Sequence, residues 1–493
     1  MKSDVIIIGS GLGGLICARL LAEKGKRVTV LERHSVPGGC LQSYRRHGTD
    51  FDTGLHYVGG LAEGHRLHNI FSRLGLMDLP WLRMDPQGFD LITIDGETFP
   101  FAEGFQNFAD TLAERFPDER EALHKYARLM EKADKLPPGD PEVQQLCSVN
   151  AYDYLRETFT DPLLIDVLAG NAIKTELRRE SLPLFHFLHA TSAFVGGGAW
   201  RLQGTGNDIV RVLTKGIEAL GGTIITNAQV DELVETDGLI TVARCTNGET
   251  YEGDTFISDI HPQQTFGLVK DSKKLSRLFR RRIDILENTY GMFTVSIVTD
   301  RIPYFNHNKY IYRRANVWDS PGPSPESWGG CAQPCPLVDR VMVSSIAGSA
   351  GSASAHVIDL LTPVPLSLFE PWADSRVGHR PDGYQQMKNH LANECLALAA
   401  TLLPDLREAI IPYDAAMSHP IKLYTSTPLT WRDYTLTPSG SAYGIRKDCR
   451  QPLMTILSPR TPISNLLLTG QNLMLHGLEG VTMTALQTCT SIE

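Results

Sequence analysis

Between residues 5 and 31 the hydrophobic pattern changes period twice. Val5-Ile6-Ile7-Ile8 is a continuous apolar run, as expected of a central parallel strand covered on both faces. Gly9 breaks it. From Leu12 to Lys24 the spacing turns helical, with Leu15, Ala18, Leu21 and Ala22 on one face, and Gly25 closes the helix. Arg27 to Leu31 is a second apolar strand, ending at Glu32. The pattern predicts a strand–helix–strand unit.

The segment from about 65 to 190 reads differently. It holds helical stretches such as Phe105 to Arg115 and Arg120 to Lys132, a break at Pro137-Pro138, and no second glycine-rich turn after a strand. It is expected to be an inserted, mostly helical region. The α/β character returns near 200. Asn207 to Leu220 is an amphipathic helix, and Thr223 to Thr226, Ala228 to Val234, Ile240 to Cys245 and Glu249 to Ile257 read as strands. Asn247-Gly248 predicts a hairpin between the last two. Further strands are expected at Phe293 to Val298 and Arg340 to Ile346, and a long helix at Tyr384 to Leu403. A buried strand at Leu466 to Thr469 leads through Gly470 and a glycine-bearing loop to a final helix from Val481. There is no internal repeat. This alternation predicts a discontinuous dinucleotide-binding domain (1–70, 195–275 and 455–493), a helical insertion (75–190) and a substrate-binding domain (276–454).

Composition narrows the class. At 493 residues, 42% hydrophobic and 21% charged, the chain is an ordinary globular protein of several domain-sized units. A net charge of -9 argues against a nucleic-acid partner. No run of about 20 apolar residues predicts a spanning helix. The longest uncharged run, Val341 to Ile358, is rich in Ser, Gly and Ala and reads as strand and loop. Nine scattered cysteines fit a reducing compartment. Cys331 and Cys335 form one close pair, but no second pair with zinc-ligand spacing follows, so no metal is predicted. Met1 to Asp4 runs straight into a strand rather than a signal's apolar core, so a cytoplasmic protein is expected.

Gly9-Ser10-Gly11-Leu12-Gly13-Gly14 satisfies G-x-G-x-x-G between a strand and a helix. Gly9 allows the tight turn, Gly11 lets backbone approach a pyrophosphate, and Gly14 permits close helix–strand packing. The helix N-terminus then offers free N–H groups to the phosphates. Glu32 ends the second strand, where a carboxylate can accept from ribose hydroxyls.

Glu32-Arg33, followed after four residues by Gly38-Gly39, resembles the signature of flavoproteins of the amine oxidase and phytoene desaturase superfamily. The segment Phe51-Asp52-Thr53-Gly54-Leu55-His56-Tyr57 resembles that of the retinol saturase and carotenoid isomerase family within it. The stretch around Gly196 to Gly206, with Trp200 and Arg201, and the run through Thr427, Tyr434 and Gly440 to Gly444 also resemble that family. So do Asn465 to Gln471 and Gly477 to Val481. The resemblance spans nearly the whole chain and is looser between about 75 and 190. It implies a Rossmann-like FAD-binding domain of the glutathione reductase and amine oxidase type with a discontinuous α+β substrate domain. FAD would then be cradled by Gly9 to Gly14, Glu32, Arg33, Gly38, Gly39, Thr53, Gly54, Leu55, His56, Val230, Gly470, Gln471, Gly480 and Val481. Gln471 stands where many members carry an acid; it can donate a hydrogen bond but supplies no charge. The sequence stops at Glu493, soon after the last helix begins, and members tend to run a few turns longer, so a trimmed C-terminus is expected.

The resemblance implies an FAD-dependent oxidoreductase acting on C=C or CH–CH bonds of an apolar polyene, a retinoid or carotenoid. Reduction by hydride from flavin N5, with His56, Tyr443 or Glu479 as the acid, is the first reading. Cis–trans isomerisation and desaturation fit the same site. A flavin amine oxidase and a non-catalytic escort of prenylated proteins share the fold; amine oxidases often attach their flavin through a cysteine near the C-terminus, but Cys489 lies beyond the glycine motif and no paired aromatics precede it. No second glycine fingerprint marks a nicotinamide site, and NAD(P)H is left open as reductant. Lys273, Lys274, Arg277, Arg280, Arg281 and Arg282, interleaved with Leu275, Leu278 and Phe279, read first as a solvated basic helix face. The alternative is a helix on an anionic membrane surface. Oligomeric state is left open.

Overall fold

The N-terminal apolar run lies in the middle of a seven-stranded sheet. The computed structural model describes residues 2–46, 48–137, 139–299, 302–314, 317–318, 336–347, 353–409 and 423–492, so the Cys331 and Cys335 pair lies outside the described residues. Strand β1 (Ser3–Ile8) runs parallel to β2 (Val28–Leu31) on one side and to Thr250–Ser258 on the other. Thr223–Ile225 extends the sheet beyond β2, and Leu466–Leu468 pairs parallel with the end of Thr250–Ser258. The start of that same strand pairs antiparallel with Leu239–Cys245 through the expected Asn247-Gly248 turn. One nine-residue strand thus serves a hairpin at its start and the parallel sheet at its end.

Helix α1 (Leu12–Glu23) connects β1 to β2 and lies against the helices Gly206–Ala219 and Gly477–Thr490. Leu15, Ile16, Cys17 and Ala18 are all fully buried, which explains why the helix is apolar nearly all round. The parallel strands end along one edge, and Gly9, Glu32, Asp259 and Gly470 follow close behind them. Ligands of open parallel sheets bind at such an edge.

A second seven-stranded sheet has the order Leu423–Ser426, Gly291–Val298, Ala355–Val364, Arg340–Ala347, Asn308–Tyr312, Asp90–Ile94, Glu97–Phe101. Its side chains alternate between two cores. Tyr310, Tyr312 and Met342 face the helical layer that includes Arg120–Lys135 and Leu184–Gly197, while Ile311, Val341 and Val343 face the helix Asp382–Ala399.

The segment 75–190, expected to be mostly helical, also carries strands. Asp90–Ile94 and Glu97–Phe101 form a hairpin, and the first of these strands joins the second sheet beside Asn308–Tyr312. The reason is local: Asp95 (φ 50°) and Gly96 (φ 86°) form a two-residue turn whose twist matches paired strands. The last helix also starts earlier than expected, at Gly477 rather than near Val481. The long helix expected from Tyr384 runs from Asp382 and ends at Ala399.

The basic segment forms the helix Arg277–Asp284. Phe279 packs edge-on against Phe266 at 4.9 Å, Arg280 donates to the carbonyls of Phe266 and Val269, and Leu278 points outward. No helix among the described residues is long and apolar enough to cross a membrane. The seven described cysteines are free thiols.

Candidate functional site

The carboxyl edge of the first sheet opens into a cavity of ≈ 740 Å³ that continues to the second sheet. Its narrow part is built mainly from backbone. Gly9 takes φ 92°, which only glycine adopts without strain, and its N–H donates to Leu31 O at 2.9 Å. A Cβ on Gly14 would sit 2.4 Å from Gly9 O, so helix and turn are in direct backbone contact. A Cβ on Gly11 would meet Asp259 Oδ2 at 2.5 Å, and one on Gly13 would meet Gly470 N at 3.0 Å. The amino-terminal turn and the carboxy-terminal loop, far apart in sequence, close on each other across Asp259.

Glu32 is buried beside them. Its Oε2 accepts from Ser10 N at 3.0 Å and Ser10 Oγ at 2.5 Å, and its Oε1 accepts from His34 N at 2.8 Å. Gly38 N donates in turn to Ser10 Oγ. Oε1, with a single donor, keeps lone-pair capacity for a further partner. A Cβ on Gly39 would lie 3.0 Å from Gly11 Cα, so this second glycine pair seats directly on the turn. Thr53 Oγ1 donates to the carbonyls of Cys40 and Gln42, fixing the next wall.

All the expected cofactor residues line this cavity except Gly14 and Leu55. Gly14 lies just behind it, in the helix–turn contact. Leu55 is a correction: its side chain is buried in the core with Val58 and Leu61, turned away from the cavity that its neighbour His56 faces. Gly480 and Val481 are inside the last helix, so the free N–H groups of its first turn belong to residues 477–480. Trp200 and Arg201 do not line the cavity either. Arg201 is buried and donates to Asn308 Oδ1 at 2.9 Å and Ser344 Oγ at 3.1 Å.

Asp259 was not singled out from sequence. It follows the strand Thr250–Ser258 as Gly9 follows β1, and its N–H donates to Ile8 O at 2.8 Å. Burial, with the charge of Glu32 adding to it and the N–H groups of Gly14 and Gly11 opposing it, pushes its carboxyl up to about 7. An acid ending a third apolar strand was the available signal.

The wide end is lined by side chains from many segments. His56, Tyr57, Ile173, Lys174, His186, Phe194, Met292, Met342, Leu361, Tyr443 and His476 surround it, and Glu479 lines the same cavity. His56 Nδ1 lies 3.9 Å from Asp359 Oδ2, and burial with the nearby Arg201 charge takes the imidazole down to about 4. Tyr443 Oη donates to Ile173 O at 3.0 Å, and its ring lies 4.6 Å from that of His476. Glu479 Oε1 pairs with Arg66 Nη2 at 3.4 Å. Cys489 is buried against α1 at Cys17 and does not line the cavity.

A family profile described as an NAD(P)-binding Rossmann-like domain matches residues 7–74. Over 99% of its length the chain is 26% identical to "All-trans-retinol 13,14-reductase" of Danio rerio, covering 85% of that protein. It is 22% identical to "Prolycopene isomerase 1, chloroplastic" of Oncidium hybrid cultivar, over 90% of this chain and 75% of that one. Over nearly its whole length the chain is thus similar to all-trans-retinol 13,14-reductases and prolycopene isomerases. Family members differ in activity: an "Inactive all-trans-retinol 13,14-reductase" of Danio rerio is 22% identical over 97% of this chain and 83% of its own. Among solved structures, an oxidoreductase from Methanosarcina mazei superposes with a TM-score of 0.65 at 15% identity, covering 99% of this chain and 100% of that one. Putrescine oxidase bound to putrescine superposes with a TM-score of 0.64 at 15% identity, covering 100% and 99%. The protein therefore has the Rossmann-like α/β dinucleotide-binding fold shared with flavin amine oxidases.

Proposed function

We propose that the protein binds one FAD in the glycine-lined part of the cavity and reduces C=C bonds of a retinoid- or carotenoid-like polyene at the wide end. The observation that carries this reading is the continuity of the cavity. A crevice where added Cβ atoms would strike Asp259, bordered by the Glu32 carboxylate, opens without a partition onto an apolar chamber. The donor set suits a dinucleotide: N–H groups of the Gly9–Gly14 turn for pyrophosphate, Glu32 for ribose hydroxyls, Ala228 and Val230 for the adenine wall. Gly470, Gln471 and the first turn of the helix Gly477–Thr490 border the passage to the chamber.

FAD, when bound, supplies hydride transfer. The chain's own residues do the rest. Met292, Met342, Leu361 and Phe194 exclude water and align an extended apolar ligand. The free N–H groups of residues 477–480 favour negative charge at the passage. A membrane-dwelling substrate would reach the chamber from a bilayer surface, and the exposed Leu278 of the basic helix offers one apolar contact to it.

The test is a panel of retinol and carotenoids incubated anaerobically with the dithionite-reduced holoprotein and read by mass. Reduction adds two hydrogens for each bond saturated. Isomerisation, the second reading, is favoured by the similarity to a prolycopene isomerase over 90% of this chain and would shift retention without changing mass. No change in any polyene contradicts both.

A further inference from the structure

The wide end of the cavity contains one ammonium. Lys174 Nζ donates to Tyr57 Oη at 2.8 Å, lies 3.9 Å from the Phe194 ring centroid and is 3.6 Å from Asp90 Oδ2. Tyr57 Oη donates on to Asp90 Oδ2 at 2.9 Å. Asp90 is fully buried and also accepts from Asn171 at 3.1 Å and Asn308 at 3.0 Å. Its oxygens are well supplied with donors, so it serves Lys174 as a fixed counter-charge. An ammonium has three N–H donors, and Tyr57 takes one of them.

Most other groups at this end are bonded elsewhere or uncharged, while His189 Nδ1 and Glu479 Oε2 are buried with no hydrogen-bond partner among the described residues. Tyr443 donates its proton to Ile173 O. Glu479 pairs with Arg66. Burial takes His56 and His476 down to about 4 and His186 to about 3, so all three are neutral near pH 7. Arg33, the other lysine or arginine lining the cavity among the described residues, donates to the carbonyls of Asp433 and Tyr434 beside the glycine turn.

A hydride arriving on one carbon of a conjugated chain forms a C–H bond there and drives the π pair onto the remaining carbons. That negative charge needs a cation in a dry site and then a proton. We propose that the Lys174 ammonium, held by Tyr57 and Asp90, stabilises this charge and delivers the proton to the polyene. The second C–H bond forms as an N–H bond of Lys174 breaks. The flavin that gave the hydride is left oxidised, and the neutral amine regains its proton from water. This step rests on the polyene-reduction reading above.

The groups around Lys174 are Tyr57 from the loop after Asp52, Asp90 and Tyr310 from two neighbouring strands, and His476 ahead of the last helix, while His189 and Tyr443 line the same cavity. Burial lowers the ammonium to about 8, against the opposing charge of Asp90. The acid is loaded below that pH and empties above it.

The experiment mixes dithionite-reduced holoprotein anaerobically with retinol or β-carotene in detergent micelles and follows the return of flavin absorbance against pH. The wild-type rate is expected to fall above about pH 8. Lys174→Met should slow the reaction roughly 10²-fold or more and lose that limb. Lys174→Arg keeps a cation that does not deprotonate, so it should recover part of the rate with a flat profile. Independently of turnover, a conjugated polyene aldehyde with cyanoborohydride should be trapped on Lys174 in the wild type and not in Lys174→Met. FAD content per chain should match in the two proteins. A Lys174→Met variant with the wild-type rate and pH limb, or a wild type in which exposed lysines are labelled and Lys174 is not, overturns the lysine's role while leaving polyene reduction standing. A wild type whose reduced flavin is reoxidised by no polyene overturns both.

Discussion

The two ends of the cavity are built by opposite means. The crevice is made of backbone: turns at Gly9, Gly39 and Gly470 press against one another and against one buried carboxylate, with no room for added Cβ atoms. The chamber is made of side chains carried by the second sheet, the helical layer and the loop after Asp52. A backbone-built site restricts residue type at fixed spacing. A side-chain-built site asks only for suitable groups to meet in space. The first should be brittle to small substitutions and the second tolerant of them.

The largest expected effect tests that brittleness. Gly14→Val places a branched side chain where a Cβ alone would lie 2.4 Å from Gly9 O, and backbone cannot move aside cheaply. It should lower stability by roughly 3 kcal/mol and abolish FAD retention, read by thermal unfolding and cofactor content. Glu32→Ala removes the acceptor of Ser10 and His34 together with the carboxylate proposed to hold the ribose hydroxyls. FAD affinity should fall by about 10- to 100-fold, as expected for losing charged hydrogen bonds. Wild-type affinity in this variant would mean that the crevice does not hold the cofactor.

Asp259→Asn sharpens the comparison through pH. In the folded protein the carboxyl is raised from its usual value near 3.8 to about 7, so the folded state binds more protons than the unfolded chain. Its stabilising contribution is complete below about pH 4 and is lost as pH rises through about 7. The variant should therefore lose part of this slope. The apo-protein's Tm difference between pH 5 and pH 8 should shrink by roughly a few degrees. Smallest of all, Met342→Leu in the chamber conserves volume and should cost less than about 1.5 kcal/mol, altering KM for the polyene and leaving FAD binding untouched.

The same contrast explains what could be read in advance. The β1–α1–β2 unit, the glycine turn and Glu32 were legible because period, punctuation and charge all agree within 32 residues. The strands Asp90–Ile94 and Glu97–Phe101 carried a signal in Asp95-Gly96, but the surrounding helical periodicity masked it. Asp259 was legible only as an acid ending a third apolar strand, and Lys174 was not legible. Asp259 matters because two parallel strand ends bring Gly11 and Gly470 to it, and Lys174 because Tyr57 and Asp90 converge on it from distant segments. Neither convergence has a local pattern.

The most direct measurement is FAD bound per chain in the purified wild type, compared with Gly11→Val and Gly470→Val. One flavin per wild-type chain, and loss of it in both variants, is the result expected if distant glycine segments share one cofactor. A colourless wild type that takes up no FAD, or undiminished binding when either glycine is replaced, would contradict it.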